Sequence, residues 1–196
     1  MKHIIVEGVD RTGKDTLISW LCSQSNNYTV RHFTKPQGNT NQERIDFQKK
    51  DFENEFHLSF YRNKPNYTPQ PNDMYIWNRS HIGEYVYGQM YRKYDPSWIF
   101  DMELQFNFDM SDDIYLILLY ADPKFLIERE DGHSLSSKLE DRETEIQLFL
   151  DAVDKSHIQN KLTLKVNDTE GYLGNNGYIP IENIRSQISN FLNLIT

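Results

Sequence analysis

Gly8-Val9-Asp10-Arg11-Thr12-Gly13-Lys14-Asp15-Thr16 stands between the apolar run Ile4-Ile5-Val6 and a helical pattern that begins at Leu17. Strand, glycine-bounded loop and helix follow in the order that a phosphate-binding loop requires. The glycines are five positions apart and Lys14 follows the second directly. Backbone N–H groups of such a loop curl around an anion at a helix N-terminus while the lysine ammonium reaches the outer phosphates. A chance strand, turn and helix would satisfy part of this pattern, but here spacing, lysine and helix coincide. The pattern departs at one position: G-x-x-x-x-G-K-[ST] puts a hydroxyl where this chain has Asp15.

With 196 residues and no break in composition, a single domain over 1–196 with a real core is expected. The net charge of −8 and pI of about 5.2 argue against nucleic-acid or membrane partners but allow a small basic pocket for a phosphorylated metabolite. No apolar run approaches bilayer length, so a soluble, cytoplasmic protein is expected. The one cysteine, Cys22, rules out an internal disulfide and reads as a small buried residue, and the six histidines lack ligand spacing.

Tyr28 to Phe33 reads as a second strand, stopped by Thr34-Lys35-Pro36-Gln37-Gly38. In a parallel α/β sheet the carboxyl ends of strands face the ligand crevice, so Lys35 is a candidate for meeting an acceptor. Ile45, Phe52, Phe56 and Phe60 place one face on a long helix over Asn41 to Lys64, which Pro65 ends. Pro65 to Asp73 reads as an exposed connection. Met74-Tyr75-Ile76-Trp77 is a third strand, followed by Asn78-Arg79-Ser80-His81 and a helix containing Tyr85, Tyr87, Tyr91, Arg92 and Lys93. Arg79, past a strand end and opening a helix, is placed to grip a phosphate. Trp98, Met102 and Phe106 recur at helical spacing, Ile114 to Tyr120 reads as a strand buried on both faces, and Asp122-Pro123 starts another helix. Arg129 to Ser137 interrupts the pattern and Asp141-Arg142 reopens it, which suits a lid over about 129–142. Leu162 to Val166 is a fifth strand, Asn167 to Gly177 a polar loop, and Ile181, Ile184, Ile188 and Phe191 stripe a closing helix. Five strands alternating with helices imply an α/β, doubly wound, five-stranded parallel sheet of the P-loop kind.

Glu7-Gly8-Val9-Asp10-Arg11-Thr12-Gly13-Lys14 resembles the E-G-x-D-R-x-G-K loop of thymidylate kinases, the type with an arginine inside the P-loop. Thr34-Lys35-Pro36 resembles the segment after that family's second strand. Asn78-Arg79-Ser80 falls on its D-R-[YS] element, and Asp122-Pro123 with Arg129 and Asp141-Arg142 is similar to its lid. The resemblance implies a nucleoside monophosphate kinase using ATP and Mg²⁺ on a small nucleotide, dTMP or a related pyrimidine deoxynucleotide. Gly8, Val9, Asp10, Arg11, Thr12, Gly13, Lys14, Asp15 and Thr16 would bind ATP. Lys14 would hold its outer phosphates, Arg11 the migrating phosphoryl group, and Asp10 would approach the acceptor sugar. Arg79 would hold the acceptor phosphate, Arg129 and Arg142 would act from the lid, and Lys35, Phe60, Arg62 and Tyr87 would complete the acceptor pocket. A homodimer through exposed faces of the Trp98 to Met110 helix is the assembly that the family suggests.

Two positions depart from the family: Asp15 replaces its Mg²⁺-linked hydroxyl, and Asn78 its acidic residue before the arginine. Together they read as a carboxylate moved from the third strand to the P-loop, with Asp15 as metal ligand. Three other readings remain: a deoxynucleoside kinase, a kinase of a base hydroxyl in DNA, and a nucleotide-binding regulator whose catalysis has decayed. Thr34-Lys35-Pro36-Gln37 lacks the carboxylate expected of the first, the acidic balance opposes the second, and the four arginines 11, 79, 129 and 142 oppose the third.

Overall fold

The structure, a computed structural model, describes residues 1–61, 70, 73–129, 138–168 and 177–194, the side chains of Phe60 and Tyr61 excepted. Arg62, the Phe60 side chain, the interior of the expected lid and most of the expected 65–73 connection and 167–177 loop lie outside the described residues.

Five parallel strands form one sheet in the order β2-β3-β1-β4-β5, made of β1 (Lys2–Gly8), β2 (Tyr28–His32), β3 (Met74–Asn78), β4 (Ile114–Tyr120) and β5 (Asn160–Lys165). β1 is buried throughout and β4 through all but its last residue, as continuous apolar runs covered by helices on both faces should be. β2, at an edge, is mostly exposed. The order reverses at β1, whose neighbours are β3 and β4, so the loop after β1 opens at the topological switch point. Gly8 pairs with Leu119 there, at φ 143°, and a Cβ on it would lie 2.0 Å from the Leu119 carbonyl oxygen. Only glycine lets the chain leave the sheet at this point.

The helices are α1 (Lys14–Ser23), α2 (Asn41–Tyr61), α3 (His81–Tyr87), α4 (Trp98–Gln105), α5 (Pro123–Ile127), α6 (Leu139–Lys155) and α7 (Ile181–Leu192). Several boundaries differ from the sequence expectation. α1 begins at Lys14 rather than Leu17, because Gly13 in the left-handed conformation turns the loop straight into the helix. α6 begins at Leu139, ahead of Asp141. β5 starts two residues early, at Asn160, whose side-chain amide donates to the carbonyls of Asp112 and Ile114. α2 opens on a capping box that the sequence reading overlooked: the Glu43 carboxylate accepts from the N–H groups of Asn39 and Thr40, and Thr40 Oγ1 accepts from Glu43 N–H.

The helix expected through Tyr85 to Lys93 changes pitch. α3 stops at Tyr87, Gly88–Arg92 is a π-helical turn, and Lys93 closes it in the left-handed conformation. The Trp98 to Met110 helix is likewise two pieces, α4 and a 3₁₀ turn over Phe108–Met110, divided by Asn107 at φ 55°. Cys22 is half-buried rather than buried.

Beneath α3 lies a polar knot centred on the buried His81 and Glu103. His81 Nε2 meets Glu103 Oε1 at 2.8 Å, Ser156 Oγ donates to the same oxygen at 2.8 Å, and His157 N–H donates to Glu103 Oε2 at 2.6 Å. Each polar group there has a partner, so the knot ties α3, α4 and the end of α6 together with little desolvation penalty. Among the described residues no helix is long and apolar enough to cross a membrane.

Candidate active site

The loop after β1 folds as its motif requires, with two of its residues in the left-handed conformation: Arg11 at φ 73° and Gly13 at φ 84°. For arginine this costs about 1 kcal/mol. Tyr178 offsets it by donating its hydroxyl proton to the Arg11 carbonyl at 3.0 Å, and Thr12 Oγ1 donates to the Val9 carbonyl at 2.7 Å. Lys14 lies folded back into the loop, its Nζ donating to the carbonyls of Gly8 and Val9 at 2.9 and 2.7 Å. Burial, reinforced by the neighbouring Arg79 charge, lowers its pKa to about 8. An anion in the loop would supply the charge that this ammonium lacks.

Arg79 follows β3 in the left-handed conformation, φ 65°, its N–H still donating to the Val6 carbonyl at 3.0 Å. The turn is held from below by Glu7. That buried carboxylate accepts from Ser80 N–H at 2.5 Å and Gly83 N–H at 3.1 Å, and burial raises its pKa. Arg79 Nη2 is ion-paired with Asp10, while Nη1 donates to the Tyr87 hydroxyl at 2.7 Å. Tyr87 in turn donates to Glu145 Oε1 at 2.9 Å, and Arg142 Nη1 donates to Glu145 Oε2 at 2.7 Å. Although burial disfavours its charge, Arg79 is held above its ordinary pKa by Tyr87, Asp10 and Glu7. It is a permanent cation.

Two cavities open here. The larger, about 1270 Å³, is lined by loop residues Asp10 to Thr16, by Asn78 and Arg79, and by an apolar wall that includes Leu119, Val166, Ile179 and Ile184. The smaller, about 760 Å³, is lined by Lys35, Arg44, Gln48, Glu84, Tyr87 and Arg92 among others. Asp10, Phe33 and Arg79 line both. The two positions that depart from the family are in contact: Asn78 Nδ2 donates to Asp15 Oδ1 at 2.9 Å. Asp15 stands in the first turn of α1 and lines the larger cavity, where its carboxylate oxygens would suit a hard cation.

The structure therefore brings together Gly13, Lys14, Asp15, Thr16, Asp10, Arg11, Arg79, Lys35 and Tyr87. Two other candidates are placed differently. Arg142 is only 2% exposed, within α6, and joins the site through Glu145 and Tyr87. The Arg129 guanidinium lies over the Phe125 ring at 3.6 Å and faces Tyr178 at 5.4 Å, and it lines neither cavity. Sequence reasoning missed Glu145, Gln48 and Glu84 as site residues. Glu145 alone carried a signal, three residues beyond Arg142 on one helix face.

No model of a known protein family matches the chain, and no curated protein matches it in sequence. Solved structures do. The YorR protein of Bacillus subtilis, in complex with phosphorylated GDP, is similar at a TM-score of 0.64 and 14% identity, over 98% of this chain and 96% of that one. Thymidylate kinase from Candida albicans is similar at a TM-score of 0.64 and 14% identity, over 98% of this chain and 91% of that one. Likeness at this identity is likeness of fold: the chain has the thymidylate kinase-like P-loop fold.

Proposed function

We propose that the protein transfers the terminal phosphoryl group of ATP to a nucleoside monophosphate, forming the diphosphate and ADP. The carrying observation is that Asp10, Phe33 and Arg79 line both cavities, so anions in each would meet at one arginine. ATP would occupy the larger cavity with its phosphates in the loop, and the acceptor the smaller one, among Lys35, Arg44, Arg79 and Arg92. The fold shared with a thymidylate kinase agrees with this reading, and the resemblance points to dTMP or a related pyrimidine deoxynucleotide as acceptor.

In the reaction an oxygen of the acceptor phosphate attacks the γ-phosphorus, the bond to the β-phosphate oxygen breaks, and ADP leaves. Such a transfer needs little covalent help from the protein and is accelerated by aligning two anions among cations. Lys14 would leave the Gly8 and Val9 carbonyls for the outer phosphates of ATP, Arg79 would hold the acceptor phosphate, and Arg11 would approach the group in flight. Asp15, positioned by Asn78, would hold Mg²⁺, which supplies charge neutralisation on the phosphate oxygens. Arg142 would act as a positioning residue through Glu145 and Tyr87.

ADP release from ATP and Mg²⁺ across nucleosides, nucleoside monophosphates and short DNA tests the proposal. Turnover with monophosphates, lost in Lys14→Ala, is expected; turnover only with nucleosides or DNA contradicts it. Moving the carboxylate back tests the metal assignment. Asp15→Ala should nearly abolish turnover, and Asp15→Ser combined with Asn78→Asp should recover more activity than either change alone, whereas simple additivity rejects the exchange. The Lys14 pKa supplies a third readout. Burial holds its pKa at about 8 in the free protein and bound phosphate raises it, so ATP binding near pH 8 should take up a fraction of a proton. Calorimetry in buffers of different ionisation enthalpy should detect this uptake, and Lys14→Met should remove it.

A further inference from the structure

The hydroxyl of Tyr178 reaches the phosphate loop from the segment after β5, donating to the Arg11 carbonyl at 3.0 Å across 167 positions of sequence. Both residues line the larger cavity. Tyr178 is itself held on several sides. Its backbone pairs with Asn167 in an antiparallel bridge, and the Ile179 N–H beside it donates to the Val166 carbonyl at 2.9 Å. Its ring meets that of Phe125 edge to face, 4.7 Å between centroids, and lies beneath the Arg129 guanidinium at 5.4 Å. Phe125 belongs to α5, and the start of α5 is tied to the same bridge. Asn167, 1% exposed, accepts from Asp122 N–H through Oδ1 at 2.8 Å and donates to Asp122 Oδ2 through Nδ2 at 2.9 Å. Gly177, at φ 79°, lets the chain pass against α5, since a Cβ there would stand 3.0 Å from Phe125 Cε2.

This brace ends on the one non-glycine residue of the loop whose backbone is left-handed, Arg11 at φ 73°. A residue's backbone dihedrals set the direction in which its Cβ leaves the chain, so the left-handed turn fixes where the Arg11 side chain starts. An arginine released from that turn returns by preference to the right-handed or extended region, and its guanidinium then departs in another direction. The penalty for a left-handed arginine and the net worth of one hydrogen bond are of similar size. A single bond is therefore enough to decide the balance. We infer that Tyr178 is a positioning residue for the phosphoryl transfer, its hydroxyl holding Arg11 in the conformation that directs the guanidinium to the bound phosphates. The inference rests on the kinase reading for the role of Arg11. It makes the hydroxyl, and not the ring, the part of Tyr178 on which the rate depends, because a catalytic group misplaced by about 1 Å costs a large factor in rate.

Tyr178→Phe tests this, since it keeps the ring with its contacts to Phe125 and Arg129 and removes only the hydroxyl. In the full chain with ATP, Mg²⁺ and dTMP, or the monophosphate turned over fastest, kcat should fall about tenfold while KM for the acceptor changes by less than about twofold. Arg11→Ala supplies the discriminating background. There the same Tyr178→Phe change should lower kcat no further, because a bond that acts through Arg11 has nothing left to position. An equal fall in both backgrounds, or no fall in the native one, overturns the inference, for either outcome leaves the hydroxyl a structural contact. Affinity for ADP with aluminium fluoride and Mg²⁺, which mimic the phosphoryl group in flight, reads the same cycle where turnover is too slow. It also separates the two claims. If the native chain phosphorylates no acceptor, the kinase reading fails, and the inference stands when the hydroxyl's contribution to binding the mimic disappears without Arg11. A contribution that persists without Arg11, or no binding of the mimic to the native chain, overturns the inference.

Discussion

Arg79 is the hinge of the molecule's chemistry. Its backbone continues the β1–β3 pairing, its left-handed turn is fixed by the Glu7 carboxylate below, and its guanidinium is shared between Asp10 of the P-loop and Tyr87 of α3. The cost of holding a cation and a buried carboxylate close to one strand end is met by this mutual neutralisation. Without Glu7 the turn loses its support, and without Arg79 the acid beneath it loses its nearest countercharge. The position of the guanidinium is thus part of the fold itself.

The sheet determines what that cation can reach. With β1 between β3 and β4, the loop after β1 and the turn after β3 emerge side by side, and α2 and α3 close the second cavity beside the first. Farther out, the chain from Arg79 through Tyr87 and Glu145 to Arg142 links the strand end to α6. A lid arginine expected from the sequence therefore becomes a buried brace, because in α6 its side chain meets Glu145 across one helical turn and not solvent.

The sheet and the phosphate loop were legible because both are written locally. Continuous apolar runs specify buried parallel strands, and two glycines with a lysine specify the loop. Asp15 and Asn78 were legible only as two departures that together keep the local charge; that their side chains touch, although 63 positions separate them, is a finding of the structure. The break at Gly88 and Asn107 was not, because left-handed and π turns depend on packing that helical periodicity does not encode. Nor was the wall of the smaller cavity: Gln48 and Glu84 read as ordinary polar residues of helices, and the fold buries both beside it.

The claim on which the rest stands is that the two cavities form one reaction site meeting at Arg79. Binding of a compound that joins adenosine to the acceptor nucleoside through a polyphosphate chain tests it directly. The account predicts that this compound binds about a hundredfold or more tightly than either nucleotide alone, because the second half binds intramolecularly, and that ATP and the monophosphate each displace it. Displacement by ATP alone, at an affinity no better than that of ATP, would contradict it.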